Sequence, residues 1–240
     1  MSSILAPTIR YPESDGEPMA ENTLQYEWIV TIKGGLDEQC RDDPNVFVAG
    51  DLFWYPKEGQ PGIRQAPDIM AVLGRPKGHR GSYLQWEEGG IAPQVVFEIW
   101  SPGNRFGPMQ KKFDFYQHYG VEEYYIYDPD TGNLEGWLRS DAGLREIEPM
   151  RGWVSPHLGI RFEMNGDELL LYHPDGQRFL TFLEQVKVRE MEKKARALAE
   201  KERERAEKEL QKAEKERASA EASAEKLRAQ LRALGVEPQE

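Results

Sequence analysis

The spacing of apolar residues divides the chain into stretches of different period. Between Asn22 and Gln39, the residues Leu24, Trp28, Ile32 and Leu36 recur at every fourth position. That spacing predicts a helix with one buried face, and Asn22 or Thr23 can supply its N-cap acceptor. Short runs of β-branched and aromatic residues follow. Val46–Gly50 and Leu52–Tyr55 read as strand pieces, Pro67–Leu73 and Gln94–Trp100 as buried strands, and Glu123–Asp128 as a third. A helix is predicted over Met109–Tyr119, stopped by Gly120. Leu134–Leu138, Leu144–Ile147 and Leu169–Tyr172 suggest an antiparallel meander, with one more short strand at His157–Phe162. Gly74–Gly90 is polar and reads as a loop. Strands and helices are mixed, so the predicted class is α/β or α+β.

After Phe182 the pattern changes. No aromatic residue follows it, and from Leu183 no Gly or Pro appears until Gly235. At seven-residue steps the column Ala199, Ala206, Ala213, Ala220, Leu227 and Leu234 is entirely apolar, with Leu210, Arg217, Ala224 and Leu231 beside it. This is a heptad seam, and it predicts a helix of about 50 residues, roughly 75 Å long, that pairs with a second copy. A single solvated helix held by charge pairs is the alternative, because an alanine-rich seam buries little area. The predicted organisation is a loose leader over 1–18, a folded domain over 19–182, and a coiled-coil helix with a short tail over 183–240.

Two positions break the apolar pattern. Asp68 follows Pro67 at the start of one buried strand, and Glu98 lies within Val95-Val96-Phe97-Glu98-Ile99-Trp100. A carboxylate inside an apolar strand is costly unless something compensates it. Two of them on neighbouring strands would form a hard-oxygen site suited to Mg²⁺. On the following helix, Lys112 and Tyr116 are four residues apart and share a side.

These residues carry a resemblance. Pro67-Asp68, Val96-Phe97-Glu98-Ile99-Trp100-Ser101-Pro102, Lys112 with Tyr116, and Gly120-Val121-Glu122-Glu123-Tyr124-Tyr125-Ile126-Tyr127-Asp128-Pro129 together resemble the Uma2 family of restriction-endonuclease-like proteins. The resemblance covers roughly residues 15–175. It implies the PD-(D/E)xK nuclease fold, a mixed central sheet flanked by helices. It implies that Asp68, Glu98 and Lys112 are catalytic, and that Asp68, Glu98 and the Ile99 carbonyl hold Mg²⁺ or Mn²⁺. The superfamily's usual lysine, two residues after the second acid, is replaced here by Trp100, and Lys112 takes its place. An acid from the first helix often completes such sites; Glu21 and Glu27 are the candidates, with Asp51 a further one. Arg75, Lys77 and Arg80, in the basic loop with His79, and Arg105 are candidate phosphate contacts.

Charge qualifies this reading. Residues 184–240 hold 15 Lys+Arg and 14 Asp+Glu, which leaves 16 and 28, a net −12, for residues 1–183. A domain holding duplex DNA by charge alone is usually basic. The expectation is therefore a metal-dependent endonuclease acting on DNA, with an inactive nuclease-fold module that assembles through its helix as the alternative. The four histidines lack zinc-ligand spacing, no Ser or Cys nucleophile signature is present, and Cys40 is the single cysteine. With no secretory signal pattern and no apolar run of membrane-spanning length, the expected setting is the cytoplasm.

Overall fold

In the computed structural model, which describes residues 9–14, 16, 19–101 and 106–233, the chain divides between Phe182 and Leu183 into two units. The first begins with α1 (Thr23–Gln39), capped by the Asn22 side chain accepting from the Gln25 N–H at 2.8 Å. Its buried face is the predicted one only at Ile32 and Leu36. Gln25, Ile29, Ile32 and Leu36 face the core, whereas Leu24 is exposed and Trp28 only partly buried. The reason is geometric: at 3.6 residues per turn a strict four-residue column winds around the helix, while steps of four and three hold one face.

The strands follow in chain order: β1 (Val46–Gly50), β2 (Trp54–Tyr55), β3 (Ile69–Leu73), β4 (Tyr83–Leu84) and β5 (Val95–Ile99). After α2 (Phe106–Tyr119) come β6 (Glu123–Asp128), β7 (Asn133–Ser140), β8 (Gly143–Glu146), β9 (Arg161–Asn165) and β10 (Glu168–Tyr172). Six of them form a mixed sheet in the order β1-β3-β5-β6-β7-β8. Its one parallel pair is β5 with β6, which α2 connects; the other neighbours are antiparallel.

Two expectations change here. Within Gly74–Gly90, Tyr83-Leu84 pairs in parallel with Trp54-Tyr55 as a small separate sheet. Leu169–Tyr172 does not join β7 and β8; it pairs with β9 as a hairpin of its own. Gly166 and Asp167 form the two-residue loop, with Gly166 at φ +63°, and so short a closure costs less entropy than reaching back to the large sheet.

Strand alternation sorts the sheet's side chains onto two faces. Ile69, Ala71, Val95, Phe97, Ile99 and Tyr125 pack with α1 and the β9–β10 hairpin. Met70, Val72, Val96 and Tyr124 pack with Tyr116 of α2 and with Trp54 and Tyr83. A third buried acid, Glu123, accepts from the Tyr125 hydroxyl at 2.8 Å, from the His157 N–H at 2.7 Å and from Ser155 Oγ. Those partners satisfy it completely and tie the 153–158 segment to β6, so its role is structural. Tyr11, from the segment read as a loose leader, packs against Tyr55 and Trp86, with ring centroids 5.2 and 5.0 Å away.

The second unit holds α3 (Phe182–Ala233) from its second residue on, and the helix has no buried residue along it. Leu198, Leu210 and Leu227 are exposed, and pairs such as Arg217–Glu221 (2.9 Å) run along its surface. Leu234, the last member of the seam, lies outside the described residues. Among the described residues no helix is long and apolar enough to cross a membrane.

Candidate active site

The β3–β5 register pairs Ile69 with Phe97, so Asp68 and Glu98 stand opposite each other one step past the last pair. Residues directly opposite in an antiparallel pair share a face, here the α2 face. Glu98 is 1% exposed, and both its oxygens are engaged. Lys112 Nζ donates to Oε2 at 2.6 Å and the Tyr116 hydroxyl to Oε1 at 2.5 Å, one helical turn apart on α2. Asp68, 8% exposed, accepts from the Ile99 N–H at 2.7 Å.

The N-terminal end of α1 closes the cluster. Gln25 Nε2 donates to the Ile99 carbonyl at 3.0 Å, and its Oε1 accepts from the Glu21 N–H at 2.8 Å. Glu21 in turn accepts from Ser101 Oγ at 2.6 Å. Asp51 has a left-handed backbone (φ 48°), and its N–H points to the Pro67 and Asp68 carbonyls at 3.1 and 3.2 Å. Above these residues lies a mainly polar cleft of about 420 Å³, walled by Glu21, Gln25, Asp51, Arg64, Asp68 and Lys112 among others. Glu98 is not on the wall; it sits beneath Lys112.

Burial, then the neighbouring Glu98 charge, pushes the Asp68 carboxyl up to about 7, against the pull of Lys112 and the Ile99 N–H. Burial alone would lower the Lys112 ammonium, but Glu98, Asp68 and Asp51 more than reverse this and hold it above its ordinary value. The Tyr116 hydroxyl is driven far up by desolvation and then by Glu98, so it remains a donor. Fully ionised, the two acids and one ammonium carry −1. Two hard carboxylates with excess negative charge fit a divalent cation of the Mg²⁺ type, which commonly takes one or two protein carboxylates and fills its other positions with water and phosphate. The fit stops at two: among the described residues no group of three His, Cys, Asp or Glu side chains could hold a metal ion.

Of the residues singled out in the sequence, the fold brings Asp68, Glu98, Lys112, Glu21 and Asp51 together. The Ile99 carbonyl is there too, but it already accepts from Gln25. The rest lie elsewhere. Glu27 lines a different, apolar cavity with Trp28, Tyr127 and Phe179. Arg75 and Arg80 grip Glu88 at 2.7 and 2.5 Å, and Lys77 donates to the Cys40 and Arg41 carbonyls at the end of α1. Arg105 lies outside the described residues. Two cleft residues escaped the sequence reading. Gln25 is a polar residue on the apolar face of α1, visible once the 25-29-32-36 stripe is chosen. Arg64, which stacks on the Phe53 ring 4.8 Å away, gives no sequence signal.

A mixed sheet flanked by helices, with two acids opposed on neighbouring strands and a lysine on the next helix, is the arrangement expected of a restriction-endonuclease-like protein. Residues 6–187 match the model of the Uma2 family, described as "Putative restriction endonuclease", and the chain belongs to that family. It is similar to a solved structure from Anabaena variabilis ATCC 29413, described as "a putative nuclease belonging to DUF820". The two are 14% identical with a TM-score of 0.42, over 57% of this chain and 75% of the other. No curated protein matches the chain.

Proposed function

We propose that the protein is a divalent-metal-dependent endonuclease that hydrolyses phosphodiester bonds in DNA, at the cleft walled by Asp68 and Lys112, in the cytoplasm. The observation that carries this is the opposed pair of buried acids beside a polar cleft, two like charges held together at a cost in stability. Family membership agrees with it. Asp68 and Glu98 would hold Mg²⁺ or Mn²⁺. A bound ion of this kind supplies Lewis-acid polarisation of a phosphate and neutralises its charge. The chain's own groups do the rest. Asp68 reaches the cleft and, once deprotonated, is its negative wall. Lys112, protonated throughout the neutral range, offers an ammonium beside a scissile phosphate and steadies the charge that develops there. Tyr116 holds Glu98 in one orientation, and Gln25 fixes the end of β5 against α1. Arg64, which lines the cleft, is placed to meet a neighbouring phosphate.

Two observations favour a second reading, an inactive module. Both Glu98 oxygens and the Ile99 carbonyl already have protein partners, and residues 1–183 carry −12. Nicking of supercoiled plasmid in Mn²⁺ separates the two. Cleavage by the wild type that disappears in Glu98→Gln and Lys112→Met supports the nuclease. Equal cleavage in all three, or Mn²⁺ binding by calorimetry that survives Glu98→Gln, removes it.

A further inference from the structure

The long helix carries a surface that the cleft chemistry does not use. Placing the Ala199, Ala206, Ala213, Ala220 column at one seam position puts Arg203, Leu210, Arg217 and Ala224 at the other, in alternating steps of three and four. The positions that flank such a seam are then fixed. On one side they are Glu200, Glu207, Glu214 and Glu221, and on the other Glu202, Glu209 and Glu216. For three heptads both borders of the seam are wholly acidic. The lysines lie on the far side: Lys201, Lys208 and Lys215 are opposite the seam.

Self-pairing meets an obstacle in this pattern. In a parallel dimer the flanks that meet are Glu202 with Glu207, Glu209 with Glu214, and Glu216 with Glu221 of the second copy. In an antiparallel dimer each flank meets its own kind, which is again Glu against Glu. Within the seam, a parallel pair also sets Arg203 against Arg203 and Arg217 against Arg217. The alanines opposite them bury too little area to offset many like-charge contacts. Along the helix itself, Lys212–Glu216 (3.9 Å) and Arg217–Glu221 (2.9 Å) pairs favour the helical form of the separate chain. Its seam residues from Ala199 to Leu231 are exposed.

We propose that this seam is a docking surface for a helix of a different protein, one with small apolar residues facing the alanines, Lys or Arg at both flanking positions over three heptads, and acidic side chains opposite Arg203 and Arg217. Charge complementarity selects that occupant over a second copy, because flanking charges set partner choice in coiled coils. The inference does not depend on whether the cleft is a nuclease.

The test uses the full chain and a charge-swapped full chain as the probe. In the probe, Glu207, Glu209, Glu214, Glu216 and Glu221 become Lys, and Arg203 and Arg217 become Glu, which keeps opposite charges at 217 and 221, where the wild type has an ion pair. Sedimentation velocity at micromolar concentration is expected to show each chain alone as a monomer and the equimolar mixture as a 1:1 dimer that dissociates in molar salt. A salt-resistant dimer of the wild type alone overturns the proposal, and so does a mixture that stays monomeric. A neutral variant with Gln at the same five glutamates guards against loss of helix in the probe. It should self-associate roughly sixtyfold more tightly than the wild type, because six like-charge contacts are removed, three from each copy, and each counts for a factor of about two. Unchanged self-association of that variant also overturns the proposal.

Discussion

Replacing Asp68 with Asn should stabilise the globular unit at alkaline pH while removing its metal site. Asp68 titrates near 7 in the folded protein, against 3.8 for an unhindered carboxyl, because burial and then Glu98 disfavour its charge. The native state therefore holds a proton that the unfolded chain gives up, and stability falls as pH rises from about 4 through about 7. The rise from 3.8 to about 7 is worth about 4 kcal/mol, at 1.36 kcal/mol per tenfold change in proton affinity. Asn keeps an oxygen for the Ile99 N–H and resembles the protonated acid, so the variant avoids this cost at pH 8. In a unit of this size, about 4 kcal/mol corresponds to a rise of roughly 10 °C in Tm. All six tryptophans precede Phe182, so intrinsic fluorescence reports the globular unit without interference from α3. The measurement is thermal unfolding at pH 5 and pH 8 in chelator, for wild type and Asp68→Asn. The variant should exceed the wild type by about 1.6 kcal/mol at pH 5 and by about 4 kcal/mol at pH 8, and gain nothing from added Mn²⁺, which should raise the wild-type Tm. A variant less stable than wild type at pH 8 would refute the reasoning.

Three further outcomes are expected. Lys112→Met strands Glu98 in a buried site with only Tyr116 for company, and should cost about 3–5 kcal/mol in urea unfolding as well as abolishing any cleavage. Gln25→Ala removes the bonds to the Ile99 carbonyl and the Glu21 N–H and should cost about 1–3 kcal/mol by the same assay, with Mn²⁺ affinity falling as β5 loosens from α1. Gly35→Ala drives a Cβ into the Phe179 ring, because α1 and the segment after β10 meet closely there; urea unfolding should show a loss of about 1–3 kcal/mol with the site's metal affinity retained.

The sequence by itself determined most of the strands, since β1, β3, β5 and β6 are short apolar runs bounded by turn residues. It also exposed Glu98 as chemically out of place, because a carboxylate amid Val, Phe, Ile and Trp is anomalous in any fold. The extent of α3 was equally legible, from a heptad that needs no tertiary context. Tertiary structure decided which side of α1 is buried, and with it that Gln25 rather than Leu24 faces the core, because the sheet and the hairpin take up the Ile29, Ile32 and Leu36 stripe. It decided that the basic Arg75, Lys77 and Arg80 are spent on Glu88 and on backbone carbonyls, since ion pairs across a loop depend on where the loop folds back. It also decided that Asp68, Glu98 and Lys112 meet. They lie 30 and 14 positions apart along the chain, and only the antiparallel register of β3 on β5, with α2 crossing above, brings their charges within bonding reach.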